Sequence, residues 1–220
     1  VGSYSLRYVT GNYNTAVGGL SLGATTSGPR NTALGYDSGK AITTGAYNTF
    51  LGERAGAATT TALNNTVVGS GAYVVATTGA NNVAMGQSAM VQCTTGGNNV
   101  GIGYQAMNNN TTGGSNAVLG HQAAYGNTTH SSVTAIGYRA SYTNNRTTAS
   151  LSSSTFIGSQ AGEAGSATTG ARNTNTFVGA QAGQNPSQTT ANMSQNTGIG
   201  NNALKQQQKT TGASYFNTAV

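Results

Sequence analysis

Charged residues are scarce in this chain of 220 residues, since Asp, Glu, Lys and Arg together make up only 5% of it. Disordered chains are usually rich in charge, so this composition argues against disorder. Trp is absent, and cysteine occurs once, at Cys93, which excludes an intrachain disulfide and predicts a packed or exposed free thiol. No apolar run reaches about 18 residues, so we expect no transmembrane helix and no direct membrane insertion.

The basic residues do not form the pattern of a nucleic-acid-binding surface. Nine Lys and Arg residues stand against three acidic residues, which gives a net charge of +6. Proteins that bind nucleic acid cluster their basic residues on one surface and add stacking aromatics. Here the basic residues are spread thinly along the chain. The sequence therefore predicts mild attraction to anionic surfaces and no nucleic-acid partner.

Glycine is abundant, and eleven of the 33 glycines recur at fixed intervals. The first seven intervals are 17 residues long, and the last three are 21 residues long. Such self-similarity indicates a solenoid, in which each repeat buries its apolar surface by stacking on its neighbours. The repeat glycines are Gly18, Gly35, Gly52, Gly69, Gly86, Gly103, Gly120, Gly137, Gly158, Gly179 and Gly200.

A short strand is predicted to end at each repeat glycine. An aliphatic residue or Met precedes the glycine, Ala or Ser follows it three positions later, and Asn lies four positions before it in nine repeats. A Thr-Thr pair recurs between the glycines, and the 21-residue repeats add two residues on each side of it. Two residues are the pleat period of a strand, so the simplest coil has two strands with a turn at each end.

We therefore predict an all-β fold, a parallel β-solenoid or β-roll of about twelve coils. Residues 1–137 form 17-residue coils, residues 138–220 continue with 21-residue coils, and the sequence is expected to be a piece of a longer protein. The strand is apolar at both positions before the glycine, which suits a strand covered on both faces. One face is expected to fill the roll. The other, with Phe50, Phe156 and Phe177, is expected to contact other subunits, most simply in a homotrimer.

Three runs of residues carry a resemblance to known families. They are Asn-Thr-Ala-Val-Gly at 14–18, Asn-Thr-Phe-Leu-Gly-Glu-Arg-Ala-Gly at 48–56 and Asn-Thr-Phe-Val-Gly-Ala-Gln-Ala-Gly at 175–183, joined by Thr-Thr-Gly spacers. The pattern resembles the repeats of phage tail-fibre and tail-spike-like proteins, which an endosialidase-type chaperone domain often follows. It is also similar to the heads of trimeric autotransporter adhesins, although those repeats are usually shorter than 17 residues and we expect no neck, stalk or membrane anchor within these 220 residues. The resemblance covers residues 12–220. It implies a non-enzymatic shaft or receptor-binding region of a virion tail fibre, or a protein of the cell surface.

Catalytic and metal chemistry find little support in the residues. Asp37 and Glu53 are the only acidic residues in adjacent coils, and Asp37 is expected to pair with Arg54, which shares its column one coil later. No acidic or Cys cluster accompanies His121 or His130, and no Gly-x-Ser-x-Gly motif is present. We predict no enzyme, no catalytic or metal-binding residues and no cofactor.

Binding is the better candidate activity, because two variable turn positions follow each repeat glycine. Exposed Tyr, Gln, Asn and Arg side chains are typical of contacts with sugars and other surfaces. The candidate contacts to a host surface glycan or protein are Tyr36, Arg54, Tyr104, His121, Tyr138 and Arg139. The alternatives are a bacterial trimeric adhesin head, a purely structural extracellular filament and an ice-binding solenoid. Ice binding is disfavoured because the two Thr of each pair are adjacent and lie at a turn.

Overall fold

The computed structural model describes residues 1–142, 152–163, 174–184, 193–205, 214–215 and 217–220 of the chain. Over these ranges the chain is an all-β solenoid whose strands span two or three residues each. The strands are β1 (Thr15–Val17), β2 (Thr32–Leu34), β3 (Thr49–Leu51), β4 (Thr66–Val68), β5 (Val83–Met85), β6 (Val100–Ile102), β7 (Ala117–Leu119), β8 (Thr134–Ile136), β9 (Thr155–Ile157), β10 (Thr176–Val178), β11 (Met193–Ser194), β12 (Thr197–Ile199), β13 (Ser214–Tyr215) and β14 (Thr218–Ala219).

Twelve of these strands form one parallel sheet, in which equivalent residues of successive repeats lie side by side. The order is β1 to β10, then β12 and β14. Thr32 pairs with Thr49 across a 17-residue repeat, and Thr134 pairs with Thr155 across a 21-residue repeat, so the register survives the change of length. The predicted parallel solenoid is thereby confirmed. The extra residues of the long repeats, with their Thr-Thr pairs, lie outside the described residues.

The glycine that ends each strand is required by both its conformation and its surroundings. Gly52 has a φ of +133°, a value that L-residues rarely adopt. A Cβ added to Gly52 would lie 2.7 Å from the carbonyl carbon of Gly69 in the next coil. The Gly52 amide donates a hydrogen bond to Leu34 O in the preceding coil at 2.8 Å. Glycine therefore recurs on a fixed period because each coil must approach its neighbours closely at this corner.

The core lies between the strand and the turn that follows it, and its side chains are matched in size. The residue two before the repeat glycine faces inward, beside the residue four after that glycine. Where the first is Phe, the second is glycine. The three such pairs are Phe50–Gly56, Phe156–Gly162 and Phe177–Gly183. Gly101 shows the reverse arrangement, because the Met90 side chain of the preceding coil fills the space beside it.

The prediction that Phe50, Phe156 and Phe177 lie at subunit contacts is wrong. All three side chains are buried within one chain, and the rings of Phe156 and Phe177 lie 5.9 Å apart between centroids. The alternation along the strand is as expected, but the face with the Phe residues is the inner one. The physical reason is that the glycine of the following turn leaves the space that a ring needs, which the strand sequence alone does not show.

The prediction of a second strand in every coil is also wrong. After the repeat glycine the chain continues as a series of turns, with positive φ at Arg54 and Gly56. Because these conformations are not extended, no strand forms there in the 17-residue coils. Neighbouring coils are nevertheless joined by backbone hydrogen bonds, such as that from Gly56 N to Ala72 O at 3.0 Å. In the described 21-residue coils, β11 and β13 pair as a small second sheet.

A ladder of buried Asn side chains runs along the solenoid beside the long sheet. Asn65 is representative: its Nδ2 donates to Asn48 Oδ1 at 3.0 Å and to Gly79 O at 2.9 Å, and its Oδ1 accepts from Asn82 N at 2.9 Å. Each Asn thus connects two coils and satisfies backbone groups that the turns leave unpaired. The Asn column thus forms hydrogen bonds along the axis of the solenoid. Val133 interrupts the ladder.

The Thr-Thr pairs of the 17-residue coils also bond along the axis. Thr60 Oγ1 donates to Thr77 O, and Thr77 Oγ1 donates to Thr94 O, both at 3.1 Å. The first Thr of the pair is only partly exposed. Its hydroxyl therefore holds neighbouring coils together.

Candidate binding surfaces

The outer face of the long sheet carries a column of large apolar side chains, one from each repeat. Burial alternates along each strand, so that in β3 Thr49 and Leu51 face outward while Phe50 faces inward. Eight members of the column expose 36–49% of their surface. We call this column the aliphatic ridge. It comprises Val17, Leu34, Leu51, Val68, Met85, Ile102, Leu119, Ile136, Ile157, Val178 and Ile199.

The apolar surface is widest at the middle of the solenoid. There Val83, Val100 and Ala117 occupy the outward position that Thr holds in most other strands, and Val100 is itself exposed. Parallel sheets are almost always covered on both faces, and large continuous apolar patches on soluble chains mark contact sites. The outer face of this sheet is therefore a candidate protein–protein interface.

Three of the predicted receptor contacts lie together at the turns that follow the repeat glycines. The rings of Tyr104, His121 and Tyr138 follow one another along the axis, with centroids 5.0 and 5.4 Å apart. They come from three successive coils, so the spacing of the strands sets the spacing of the rings. Tyr104 exposes 41% of its surface, Tyr138 exposes 48%, and His121 is also exposed. We call these three residues the aromatic ladder.

A pair of amides accompanies the aromatic ladder in the adjacent column of the turn. Gln122 Nε2 donates to Gln105 Oε1 at 2.8 Å. Both residues have positive φ, 53° for Gln122 and 52° for Gln105, which is the conformation of this turn position throughout the solenoid. The repeat therefore places an aromatic column and a polar column next to each other.

Arg139, another predicted contact, is already engaged within the chain. Its guanidinium carbon lies 3.9 Å from the centroid of the Tyr142 ring, and one of its terminal nitrogens lies 2.7 Å from Glu163 Oε1. Gln184 Nε2 donates to the other oxygen of Glu163 at 2.8 Å. Because Glu163 is largely buried and neutralises the guanidinium, Arg139 offers less charge to a ligand than its sequence position suggests.

The remaining two predicted contacts, Tyr36 and Arg54, are exposed but lie three or four coils from the aromatic ladder. The predicted ion pair between Asp37 and Arg54 is wrong. Asp37 Oδ2 instead contacts Lys40 Nζ at 3.1 Å within the same turn. A contact with Lys40, three residues away, lies within one turn and does not have to span two coils. The positive φ of Asp37 and of Arg54 also sets the direction in which each side chain leaves the backbone.

Three further titratable side chains, Cys93, Tyr73 and His130, lie inside the solenoid. Cys93 is a buried free thiol, which is the packed state of the two predicted states, packed or exposed. His130 is buried too. Burial raises the pKa of the Cys93 thiol from 9.0 to about 11, and it raises the pKa of the Tyr73 hydroxyl well above its usual range. In the part of the chain that the structure describes, no three His, Cys, Asp or Glu residues are grouped as metal ligands would be. Nor does that part contain a helix that could span a membrane.

Sequence reasoning missed a second aromatic group near the start of the chain. Arg30 lies between the rings of Tyr13 and Tyr47, with its guanidinium carbon 5.2 and 5.3 Å from their centroids. It also donates to the Tyr47 hydroxyl at 2.8 Å. Successive members of this group are 17 positions apart, and each lies five positions before a repeat glycine. An alignment of the repeats therefore places the two tyrosines and the arginine in one column.

No protein-family model matches the chain, and neither a curated protein nor a solved structure is detectably similar to it. The function must therefore be inferred from the aliphatic ridge, the aromatic ladder and the chemistry of the residues around them.

Proposed function

We propose that this chain is a non-enzymatic structural and adhesive protein, the shaft or receptor-binding region of a fibrous appendage such as a phage tail fibre. Its location is then a virion tail fibre or a cell surface. The observation that carries the proposal is the aliphatic ridge, because an apolar column along the whole sheet suits a rod built from several parallel copies. Of the three acidic residues, Asp37 and Glu163 are each paired with a cation. This pairing disfavours a glycosidase, which needs two carboxylates flanking one bond.

The occupant that best fits the ridge is another copy of this chain. The ridge presents one large side chain per coil, at the strand spacing of about 4.8 Å. A parallel copy has the same spacing, so two ridges can interdigitate over their full length. The ridge and the Thr column beside it contain no charged residue, so identical copies meet without like-charge repulsion. We propose a parallel homotrimer in which three ridges meet at a common axis.

The stabilisation available from the exposed apolar area is comparable with the cost of such an assembly. Full burial of one aliphatic side chain stabilises by about 1.5–3 kcal/mol, so the exposed two fifths of each ridge residue are worth about 0.6–1.2 kcal/mol. Eight such residues give roughly 5–10 kcal/mol for each chain. Association costs about 4–15 kcal/mol in lost freedom. Contact along the whole ridge is therefore needed, which favours parallel alignment over a local contact.

The assembly is tested by the mass of the purified chain in solution, measured by light scattering and sedimentation at micromolar concentration. We expect the wild-type chain to be trimeric. A ridge variant with Leu34→Thr, Leu51→Thr, Leu119→Thr and Ile136→Thr keeps residues that favour strands and should dissociate. The matched control carries Leu63→Thr and Val75→Thr, because both side chains are exposed and apolar but lie off the ridge. A monomeric wild type, or a ridge variant that stays assembled, would refute the proposed assembly.

The adhesive part of the proposal assigns receptor contact to the turn side chains, among them Tyr36, Arg54 and the aromatic ladder. These side chains are exposed and carry little core area, so they can change without loss of the fold. Attachment of the labelled chain to host cells should weaken when the ladder is removed. If attachment survives removal of the ladder and of whole coils, the rod is a spacer and this part of the proposal fails.

A further inference from the structure

A long central part of the chain carries no formal charge. Residues 55–138 contain no Asp, Glu, Lys or Arg, although five repeat glycines fall within this range. The aromatic ladder lies at the C-terminal end of this neutral segment. Just beyond it, the charges of Arg139 and Glu163 neutralise each other at 2.7 Å. Over the described residues, the surface around the ladder is therefore electrically neutral, and the charges of the N-terminal coils lie several coils away.

The groups that the ladder surface offers to a ligand are aromatic rings and neutral polar atoms. The two phenol hydroxyls can donate and accept hydrogen bonds, and the imidazole of His121 adds two ring nitrogens that can take part in them. The bond between Gln122 Nε2 and Gln105 Oε1 leaves Gln122 Oε1 as an acceptor and Gln105 Nε2 as a donor. Donors and acceptors thus alternate along the axis, beside rings whose centroids are 5.0 and 5.4 Å apart.

We infer that the aromatic ladder and the Gln105–Gln122 pair bind an uncharged glycan that lies along the solenoid axis. Sugar hydroxyls both donate and accept, which matches the amides, the phenols and the imidazole. The apolar C–H faces of pyranose rings pack against aromatic side chains. A polymer of repeated sugar units also matches a surface that repeats its contacts from coil to coil.

The neutrality of the segment decides the class of glycan. Charged ligands are recognised by surfaces of complementary charge, which steer the encounter and select the partner. Among the residues that the structure describes, no cation free of an acidic partner lies beside the ladder to receive a carboxylate or sulfate group. Protein partners are usually anchored by Trp, Tyr or Arg in desolvated pockets with a polar rim, whereas the ladder is a shallow column. This inference rests on the proposed adhesive function and specifies its receptor.

The test is binding of the full purified chain to an array that contains both neutral and anionic oligosaccharides, at low and high salt. We expect binding to neutral glycans, with an affinity that changes less than about twofold with salt, since no ion pair is screened. The double variant Tyr104→Ala/Tyr138→Ala should lose about tenfold in affinity, the equivalent of two aromatic contacts. The matched control is Tyr4→Ala/Tyr8→Ala, which removes two exposed tyrosines that belong to none of the proposed contacts and should bind as the wild type does.

The outcomes separate this inference from the proposed function, provided that the mass of each variant is measured on the same sample. Salt-sensitive binding to anionic glycans alone, binding to a protein receptor without glycan, or no glycan binding by a trimeric chain would each overturn the inference and leave the assembly standing. Equal losses in the two double variants would overturn the assignment to the ladder. Glycan binding by a chain that proves monomeric would instead support the inference and refute the assembly.

Discussion

Substitution of Gly56 by Ala tests whether the core is held together by the matching of large and small residues. Gly56 is buried beside Phe50, and three carbons of that ring lie within 3.0 Å of the position that an added Cβ would occupy. The same ring also packs against Gly39 of the preceding coil. Phe50 is thus fully buried between two glycines.

The expected loss of stability has two parts that a second variant can separate. Gly56 has a φ of +61°, and an Ala in the left-handed region costs about 1–2 kcal/mol. Forcing a methyl group against a packed ring adds about 1–3 kcal/mol. Gly71 has a φ of +64°, but the nearest atoms to its added Cβ would be 3.7 Å away. Gly71→Ala therefore carries only the backbone cost, and Gly56→Ala should be the less stable variant by about 1–3 kcal/mol.

A compensating substitution tests the size matching of Phe50 and Gly56 in a second way. Another coil pairs Val118 with Ala124 at the two positions that Phe50 and Gly56 occupy here, and both residues are buried. The double variant Phe50→Val/Gly56→Ala copies that pair. Because the smaller Val removes the overlap, the double variant should be more stable than the sum of the single effects predicts, with a coupling of about 1–3 kcal/mol.

The measurement is the free energy of unfolding by urea, followed by circular dichroism at one fixed protein concentration, because association contributes to the apparent stability. Gly56→Ala, Gly71→Ala, Phe50→Val and the double variant are compared with the wild type. Equal losses for the two Gly→Ala variants, or additive effects of the Phe50 and Gly56 substitutions, would refute size matching as the organising feature of the core.

Two further predictions concern buried polar groups. Asn65→Ala should lower the free energy of unfolding by about 2–4 kcal/mol, because Gly79 O and Asn82 N lose partners inside the solenoid. Asn64→Ala removes an exposed bond and places Ala at a φ of +58°, so it should cost about 1–2 kcal/mol; equal losses in urea unfolding would contradict the role of the Asn ladder. Burial raises the pKa of Cys93 from 9.0 to about 11, so its contribution to stability is complete below pH 9 and is lost as the pH rises to 11, by about 2–3 kcal/mol. Cys93→Ala should flatten this decline, and a wild-type stability that stays constant from pH 9 to 11 would disprove the linkage.

The period of the sequence predicts the architecture because one residue type in the repeat has no substitute. Gly52 combines a φ of +133° with close contact to the backbone of Gly69, so every coil must supply a glycine at that corner. The Asn column obeys the same logic, since an Asn can bond to both the Asn before it and the backbone after it. Constraints that act between identical positions of neighbouring coils appear in one sequence as a fixed spacing.

The inner and outer faces of the strand could not be assigned in the same way. Both residues before the glycine are apolar, and hydrophobicity alone favours Phe50 as strongly as Leu51 for either face. The decision depends on Gly56, which lies across the closed coil and makes room for the ring. The prediction of a second strand failed for a related reason. The positive φ at Arg54 is set by the path of the coil, and Arg itself has no preference for that conformation.

The two surfaces of the solenoid occupy different columns of the repeat, so the proposed assembly and the proposed binding do not compete for side chains. The ridge residues precede the glycine on the sheet, whereas the ladder residues follow it on the turn. Assembly through the ridge therefore does not need the ladder side chains. Three parallel copies would carry three ladders at the same height of the rod. Linked weak sites raise avidity by roughly 10²–10⁴ over a single site, so a shallow neutral surface on one chain would suffice for firm attachment of the proposed trimer.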